Sequence, residues 1–412
     1  MKIPTLRFPE FTDEWELKKL GEVAKFSKGK GISKSEISED GINECIRYGE
    51  LYTRYGEVIQ DVFSKTNFDI NKSVISEAND VIIPASGETQ IDIATASCVM
   101  KSGIILGGDL NIIKTNKNGV FLSYYLNSKR KLDIANLAQG ISVVHLYSSQ
   151  LAILNLNFPT LSEQQKIATF LTAVDEKLQA LKQKKKLLEQ YKKGVMQQIF
   201  SQEFRFTDDT SASLSAGNGN AFPDWEEKKL GEVFYSEKGK GISKNKVVDN
   251  GLFECILYGE LYTKYNEVVF EVISKTNEND GLKSKIGDLL IPSSTTTTGI
   301  DLANVTALNE ADVLLGGDIT VLRSNKKINN VFYAYYLSNH KKDEIASYAQ
   351  GSTIVHLYFS HIKEMLIDIP AIAEQTKIAH FLSAIDDKIN YCQVQIAHTE
   401  VWKKGLLQQM FC

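Results

Sequence analysis

The sequence predicts an α+β protein made of two similar globular domains joined by two long antiparallel coiled-coil helices, with pseudo-two-fold symmetry. Three observations predict it: the chain is one unit written twice, each copy opens with short β-rich runs, and each closes on a long stretch with an apolar seam at helical spacing. At 412 residues the chain exceeds one ordinary domain, so two compact units are the starting expectation.

The repetition is direct. WELKKLGEV from Trp15 recurs as WEEKKLGEV from Trp225, and KGKGISK from Lys28 recurs at Lys238, both with a shift of 210 residues. ECIRYGELYT from Glu44 returns as ECILYGELYT from Glu254, and SKTN from Ser64 returns at Ser274. DVIIP and DLLIP (Asp80, Asp288), LGGD (Leu106, Leu315), AQG (Ala138, Ala349) and HLY (His145, His356) keep their order while the shift drifts between 208 and 211, which short loop insertions produce.

In each copy about 160 residues carry β-rich runs such as DVIIPAS, IILGGDLNIIKT and LAILNLNF, joined to one helical stretch, VFLSYYLNSKRKLDIANLAQG. The rest reads as a single helix, because residues 163–200 contain no Pro and one Gly, Gly194, near the end. Positions 167, 171, 174, 178, 181, 185, 188, 192, 195 and 199 hold Ile, Leu, Val, Leu, Leu, Lys, Leu, Lys, Val and Ile. The matching positions from Ile378 to Met410 form a second seam, again with a polar interruption towards its end.

Each helix would be about 57 Å long at about 1.5 Å per residue, a rigid spacer. A seam between them requires the second helix to run back along the first. The boundaries follow as 1–160 and 202–371 for the domains and 161–201 and 372–412 for the helices, with a small polar linker at 207–221. Phe204, Arg205 and Phe206 resemble Leu6, Arg7 and Phe8, as though a closed circle had been cut once.

Composition narrows the function. There is no apolar run of membrane-spanning length and no signal-peptide pattern at the start, so the cytoplasm is the expected compartment. The five cysteines show no CxxC spacing, which argues against a zinc site or a disulfide framework. Net charge is −4, so a DNA-binding surface would have to be local. The seven prolines are never adjacent, so no Asn-Pro-Pro-Tyr motif holds a flipped base, and GKG at Gly29 and Gly239 is not a P-loop. PDWEEK at Pro223 is too compact for a nuclease metal site, no HExxH is present, and no Ser, His and acid set has a recognisable acyl-transfer spacing. No catalytic residues and no metal ligands are assigned.

Two like domains about a two-fold axis match the symmetry of duplex DNA, where half-sites repeat at roughly 34 to 36 Å. Over nearly its whole length the chain resembles the specificity subunits of type I restriction-modification systems. The resemblance rests on the LRFPEF…W…KLGEV opening and its repeat, the paired AQG…HLY segments, and the two EQxKIAxFL…KKGxxQQxF helices. It implies two target-recognition domains reading a bipartite site across an unread spacer, with the repeated helices docking two modification subunits. Adenine methylation and cleavage would then belong to modification and restriction subunits, which would carry S-adenosylmethionine, ATP and Mg, with no cofactor in this chain. The two domains are unusually alike for that family, so related half-sites are expected. The alternatives are a coiled-coil scaffold whose globular domains bind protein, and an autonomous enzyme that the missing motifs disfavour.

Candidate DNA contacts come in repeated pairs. Lys28, Lys30 and Lys34, with Lys238, Lys240 and Lys244, sit in a Gly-containing loop expected to be flexible and to offer ammonium groups and exposed backbone N–H donors to phosphates. Tyr48, Tyr52 and Arg54, with Tyr258, Tyr262 and Lys264, place aromatic and basic side chains just after a strand. Arg47, opposite Leu257 in the other copy, is a candidate guanine reader. Ser86 and Thr89, with Ser294 and Thr296, lie in the polar loops ASGETQ and SSTTTTG, and Gln139, Ser142 and His145 echo in Gln350, Thr353 and His356. Lys182, Lys184, Lys185 and Lys186 read as a solvated helix face rather than a phosphate track.

Overall fold

The computed structural model describes residues 3–207, 214–215 and 222–412. Apart from Thr207 and residues 214–215, the expected linker lies outside the described residues. The chain divides into two compact units, Met1–Gln183 with Cys392–Cys412, and Lys184–Tyr391. The first unit therefore takes the opening half of the first long helix, Leu161–Phe200, and the closing half of the second, Ile372–Gln409; the other unit takes the complementary halves.

In the first unit a five-stranded sheet runs in the order Ala24–Lys28, Leu110–Thr115, Asp80–Pro84, Ser97–Val99, Val58–Ile59. Asp80–Pro84 is buried at every position, which is why DVIIP reads as a continuous apolar run rather than an alternation. A smaller sheet joins Ser64–Thr66, Asn43–Ile46 and Ile105–Leu106. The run IILGGDLNIIKT thus supplies two strands to two different sheets, and the chain turns between them at Asp109, whose φ is +58°.

The stretch expected as one helix is two, Gly119–Ser128 and Lys131–Leu137. The break falls at Lys129 and Arg130, the latter at φ −110°, ψ 0°, with its guanidinium over the Tyr125 ring and bonded to Asp133 of the second helix. Asn118 caps the first of the two by accepting from the Phe121 N–H at 2.8 Å.

The second unit repeats this plan. Tyr235–Lys238, Ile319–Arg323, Asp288–Pro292 and Thr306–Leu308 form its main sheet, and a single Val268–Ala307 bridge stands where the fifth strand would be. Its core helix, Asn330–Tyr335, continues as a π-helix, Tyr336–His340.

The predicted seam is the protected face of both long helices: all ten positions from Ile167 to Ile199, and all ten from Ile378 to Met410, are buried or half-buried. Within the first unit the helix segments pair antiparallel, since Asp175 meets Lys403 at 2.7 Å and Lys182 meets Glu400 at 2.7 Å. Lys182 is thereby tied across the seam, while Lys185 pairs with Glu189 along its own helix. The polar interruption in each seam has a partner set. Lys403 reaches Asp175 on the other helix and Glu57 on the globular part, and Asp175 also accepts from the Tyr124 hydroxyl at 2.6 Å. In the second unit Lys192 reaches Asp386 at 2.7 Å and Glu267 at 3.0 Å, and Asp386 accepts from Tyr335.

Lys192 and Asp386 are buried and the other members half-buried, and all are mutually satisfied. Burial works against the Lys403 ammonium, but Glu57 and Asp175 prevail and hold its pKa above the ordinary lysine range. Glu267 is drawn below the usual carboxylate range by Lys192 and Asn339 despite its burial.

A second clamp sits at the first turn of each long helix. Glu163, fully buried, accepts two bonds from Arg7, at 2.7 and 2.8 Å, and one from the Trp15 indole. Glu374 does the same with Arg205, at 3.1 and 2.8 Å, and with Trp225. The next residue in each helix completes the clamp: Gln164 accepts from the Asn118 N–H and Gln375 from the Asn329 N–H, which ties the long helix to the cap of the core helix. A carboxylate in the first turn is further favoured by the helix dipole. The resemblance noted between residues 6–8 and 204–206 therefore marks one shared ion pair. Removing one member of such a buried pair strands the other, at a cost of roughly 3–5 kcal/mol. Glu163→Ala is expected to lower the urea midpoint accordingly, whereas Glu176→Ala, an exposed change on the same helix, should leave it in place.

Candidate nucleic-acid interface

The repeated turn Leu106-Gly107-Gly108-Asp109 is the hub on which the predicted contact segments meet. The Gly107 N–H donates to the Ile46 carbonyl at 2.9 Å, the Lys30 N–H donates to Leu106 at 3.0 Å, and the Ala85 N–H donates to Asp109 at 2.7 Å. A Cβ on Gly29 would lie 1.9 Å from the Gly107 carbonyl oxygen, so glycine is required for this approach. The second unit repeats the hub, with Gly316 N–H to Ile256, Lys240 N–H to Leu315 and Ser293 N–H to Asp318.

One consequence corrects the sequence reading. The KGKG segment is pinned rather than flexible, because Gly29 and Lys30, like Gly239 and Lys240, already spend their backbone N–H groups on the hub strands. At these positions it is the lysine ammonium groups that are left for a phosphate. Lys28, Lys30, Lys34, Lys238, Lys240 and Lys244 are all exposed, with Lys238 and Lys240 near Asp318 and Asp280 at 3.9 and 3.8 Å.

The turn after Asn43–Ile46 is organised by a buried carboxylate. Glu50 accepts from the Arg47 N–H at 2.9 Å and from the Ser64 hydroxyl, and the Arg47 guanidinium approaches it to 3.8 Å. In the second unit Glu260 accepts from Leu257 N–H and Ser274, but its cation is Lys264, at 2.7 Å. Arg47 opposite Leu257 is thus one half of an exchange: the neutralising cation comes from position 47 in one unit and from 264, the counterpart of Arg54, in the other. Arg54 is exposed, and among the described residues it has no ion pair. Tyr48, Tyr52, Tyr258 and Tyr262 are half-buried. Burial pushes the Tyr52 hydroxyl above its ordinary range, with Tyr48, Glu88 and Asp92 adding to the effect.

Ser86 and Ser294 are buried where they pair with His145 and His356 across short two-stranded ladders, so they frame the surface instead of standing on it. Thr89 is exposed and accepts from the Asp92 N–H, capping a short helix; Thr298 holds that place in the second unit, and Thr296 is exposed in the loop before it. Gln139 and Gln350 close hairpins with His145 and His356 through paired backbone bonds of 2.9 and 2.7 Å. Ser142 and Thr353 stand exposed near the tips.

Two residues absent from the sequence-based set complete the surface. Tyr147 stacks beside His145 with ring centroids 6.4 Å apart and lies under the Lys28 ammonium at 5.8 Å. Tyr358 repeats this with His356 at 5.7 Å and Lys238 at 5.9 Å. The repeated HLY motif contained both tyrosines, and LGGD contained the hub, but only the folded chain brings them beside the lysine loop. Among the described residues, no group of three His, Cys, Asp or Glu is placed to hold a metal, and no helix is long and apolar enough to cross a membrane.

Each unit therefore carries the same small platform of exposed lysines, hydroxyls and a stacked His–Tyr pair, on a domain clamped to paired helices. The chain belongs to the family of type I restriction modification DNA specificity domains, whose model matches residues 12–190 and again 223–397. It is 24% identical over 411 residues to the type I restriction enzyme MjaVIII specificity subunit of Methanocaldococcus jannaschii, covering 98% of this chain and 92% of that one. Its fold is similar to the crystal structure of the type I restriction-modification system S subunit from M. genitalium, with TM-score 0.65, 18% identity, and coverage of 100% of this chain and 99% of that one. A chain from a structure describing complex assembly and conformational transition of the type I R-M system matches with TM-score 0.53 and 16% identity, over 98% of each.

The exchange of cations around Glu50 and Glu260 is testable. Arg47→Leu is expected to cost roughly 1–3 kcal/mol, because it leaves a buried carboxylate without its cation. Adding Arg54→Lys should recover most of that loss in a denaturation series, since it recreates the Lys264 arrangement.

Proposed function

We propose that the chain is the DNA-specificity subunit of a type I restriction-modification complex, in which each unit reads one half of a bipartite duplex target. The observation that carries this reading is the duplication of the platform: the same lysines, hydroxyl residues and His–Tyr pair recur on the same hub in two domains that match one DNA-specificity family model. Ammonium groups position a duplex through its phosphates, and the hydroxyl-bearing loops supply donors and acceptors for base edges. Because most of the platform is shared, the two half-sites are related; because Arg54 has no ion pair among the described residues where Lys264 is paired, and the loops after Pro84 and Pro292 differ in sequence, they are not identical.

In this reading the chain itself carries out no chemistry. Two modification subunits methylate adenine, restriction subunits cleave, and S-adenosylmethionine, ATP and Mg are bound by them in the cytoplasm. The long helices offer the docking surface for modification subunits: Leu187 and Tyr191 in the second unit, and Val401 and Trp402 in the first, are exposed apolar side chains on helices whose opposite faces are buried. The test is single-molecule methylation sequencing of DNA from cells expressing the chain with a type I modification subunit, against cells lacking the chain. A new interrupted motif with one methyl-adenine per strand is expected. A methylome unchanged in the presence of an assembled, competent complex would refute the proposal in favour of the protein-binding scaffold.

A further inference from the structure

The hairpin closed by Gln139 and His145 has a tip that the platform does not explain. Ile141 is fully exposed at its apex and Val143 is half-exposed beside it. The side chain cannot be covered by folding the loop back, because the hairpin is fixed at several points. Its ends are locked by the two Gln139–His145 backbone bonds, His145 pairs with Ser86, and the Leu146 N–H donates to Ala85 at 2.9 Å. Gly140 turns the chain at φ +131°, and a Cβ there would stand 2.1 Å from the Val143 carbonyl oxygen, so the turn admits glycine and little else. Among the described residues nothing covers Ile141.

The surroundings indicate what the tip meets. The foot of the hairpin holds His145 and Tyr147 with the Lys28 ammonium above the tyrosine ring, and Gln139 and Ser142 are exposed along it. A protein partner would be matched by a wider apolar rim than Ile141 and Val143 provide. A fully exposed aliphatic side chain at the tip of a pinned hairpin, with a cation and an imidazole at the foot and hydrogen-bonding groups along it, instead fits a step between two stacked bases with phosphates on either side; inserted aliphatic wedges unstack and kink a duplex in this way.

The second unit supplies an internal control. Gln350, Gly351 at φ +126° and His356 rebuild the same hairpin over Tyr358 and Lys238, yet the residue matching Ile141 is Ser352.

We infer that Ile141 is a wedge that enters one base step of the half-site read by the first unit, while the Ser352 hairpin contacts the other half-site without unstacking it. The inference rests on the DNA-reading role proposed above. The specificity of one half-site then depends partly on how easily a particular base step opens, which is a property of the DNA and not of any hydrogen bond to it.

The experiment uses the assembled complex of the full chain with its modification subunits and the target found by methylation sequencing. Duplexes carry 2-aminopurine at successive positions across both half-sites, leaving aside the methylated adenines, which are flipped in any case. The wild-type complex should raise fluorescence at one step of a single half-site. Ile141→Ser, which installs the residue that the twin hairpin already tolerates, should return that step to the level of free duplex while the complex still binds. Ser352→Ile should create a new signal in the opposite half-site.

A signal at that step unchanged by Ile141→Ser, or no signal at any step while the target is bound and methylated, would overturn the wedge and leave the DNA-reading role intact. Loss of subunit assembly in Ile141→Ser would overturn it in favour of a protein contact. Failure of the wild-type complex to modify any target would remove the wedge together with the reading on which it rests.

Discussion

The structure of each unit hangs on a lysine set into the helix seam, buried at Lys192 and half-buried at Lys403. Lys403 and Lys192 each come from one long helix, bond an aspartate on the other, and also bond a glutamate on the globular part. A tyrosine of the core helix donates to the same aspartate. An uncompensated charge at such a position would be severely destabilising, so the helices can be neither slid nor rotated against the domain without breaking the network. A wholly apolar seam of leucine and isoleucine would tolerate several registers; one polar position in a seam selects among them. Orientation of the reading surface on its support is thus decided by electrostatics, and hydrophobic burial supplies the adhesion.

The Arg–Glu–Trp clamp at the start of each helix extends the same logic to the other end of the domain. Glu163 and Glu374 are fully buried, and each is satisfied by a guanidinium and an indole drawn from the segment that precedes its own globular part. The domain is therefore held on its helix at two separated places by charges that need each other. The hub turn ties together the lysine loop, the Glu50 turn and the hairpin. In the proposed reading this rigidity serves recognition, since hydrogen-bonding side chains discriminate bases only when their placement is fixed by a shell of supporting contacts.

The duplication also shows how one scaffold diverges without losing its fold. The buried carboxylate of the Glu50 turn is neutralised from different positions in the two units, so a surface cation is released in one and consumed in the other. The main sheet loses its fifth strand in the second unit, and its core helix ends in a π-turn, yet the hub, the ladders and the hairpin persist. The buried carboxylates Glu50 and Glu260 are kept, and what varies around them is the side chain that supplies the cation.

The sequence by itself determined the architecture. The 210-residue shift between copies, the four-and-three spacing of the seam and the proline-free stretches specify two like domains and two long helices, because periodicity of apolar residues is set by backbone geometry and is visible without the fold. Even the polar interruptions at Lys192 and Lys403 were visible, though not their partners. Tertiary structure alone decided the site. Glu57 lies far from Lys403 in sequence, Tyr147 from Lys28, and Gly107 from Gly29, so no local pattern signals their contact. The same holds for the errors: KGKG reads as a mobile glycine loop until the hub occupies its N–H groups, and the core helix reads as continuous although it breaks at Lys129 and Arg130. Local pattern records which conformations a segment permits; long-range hydrogen bonds and buried charges select among them.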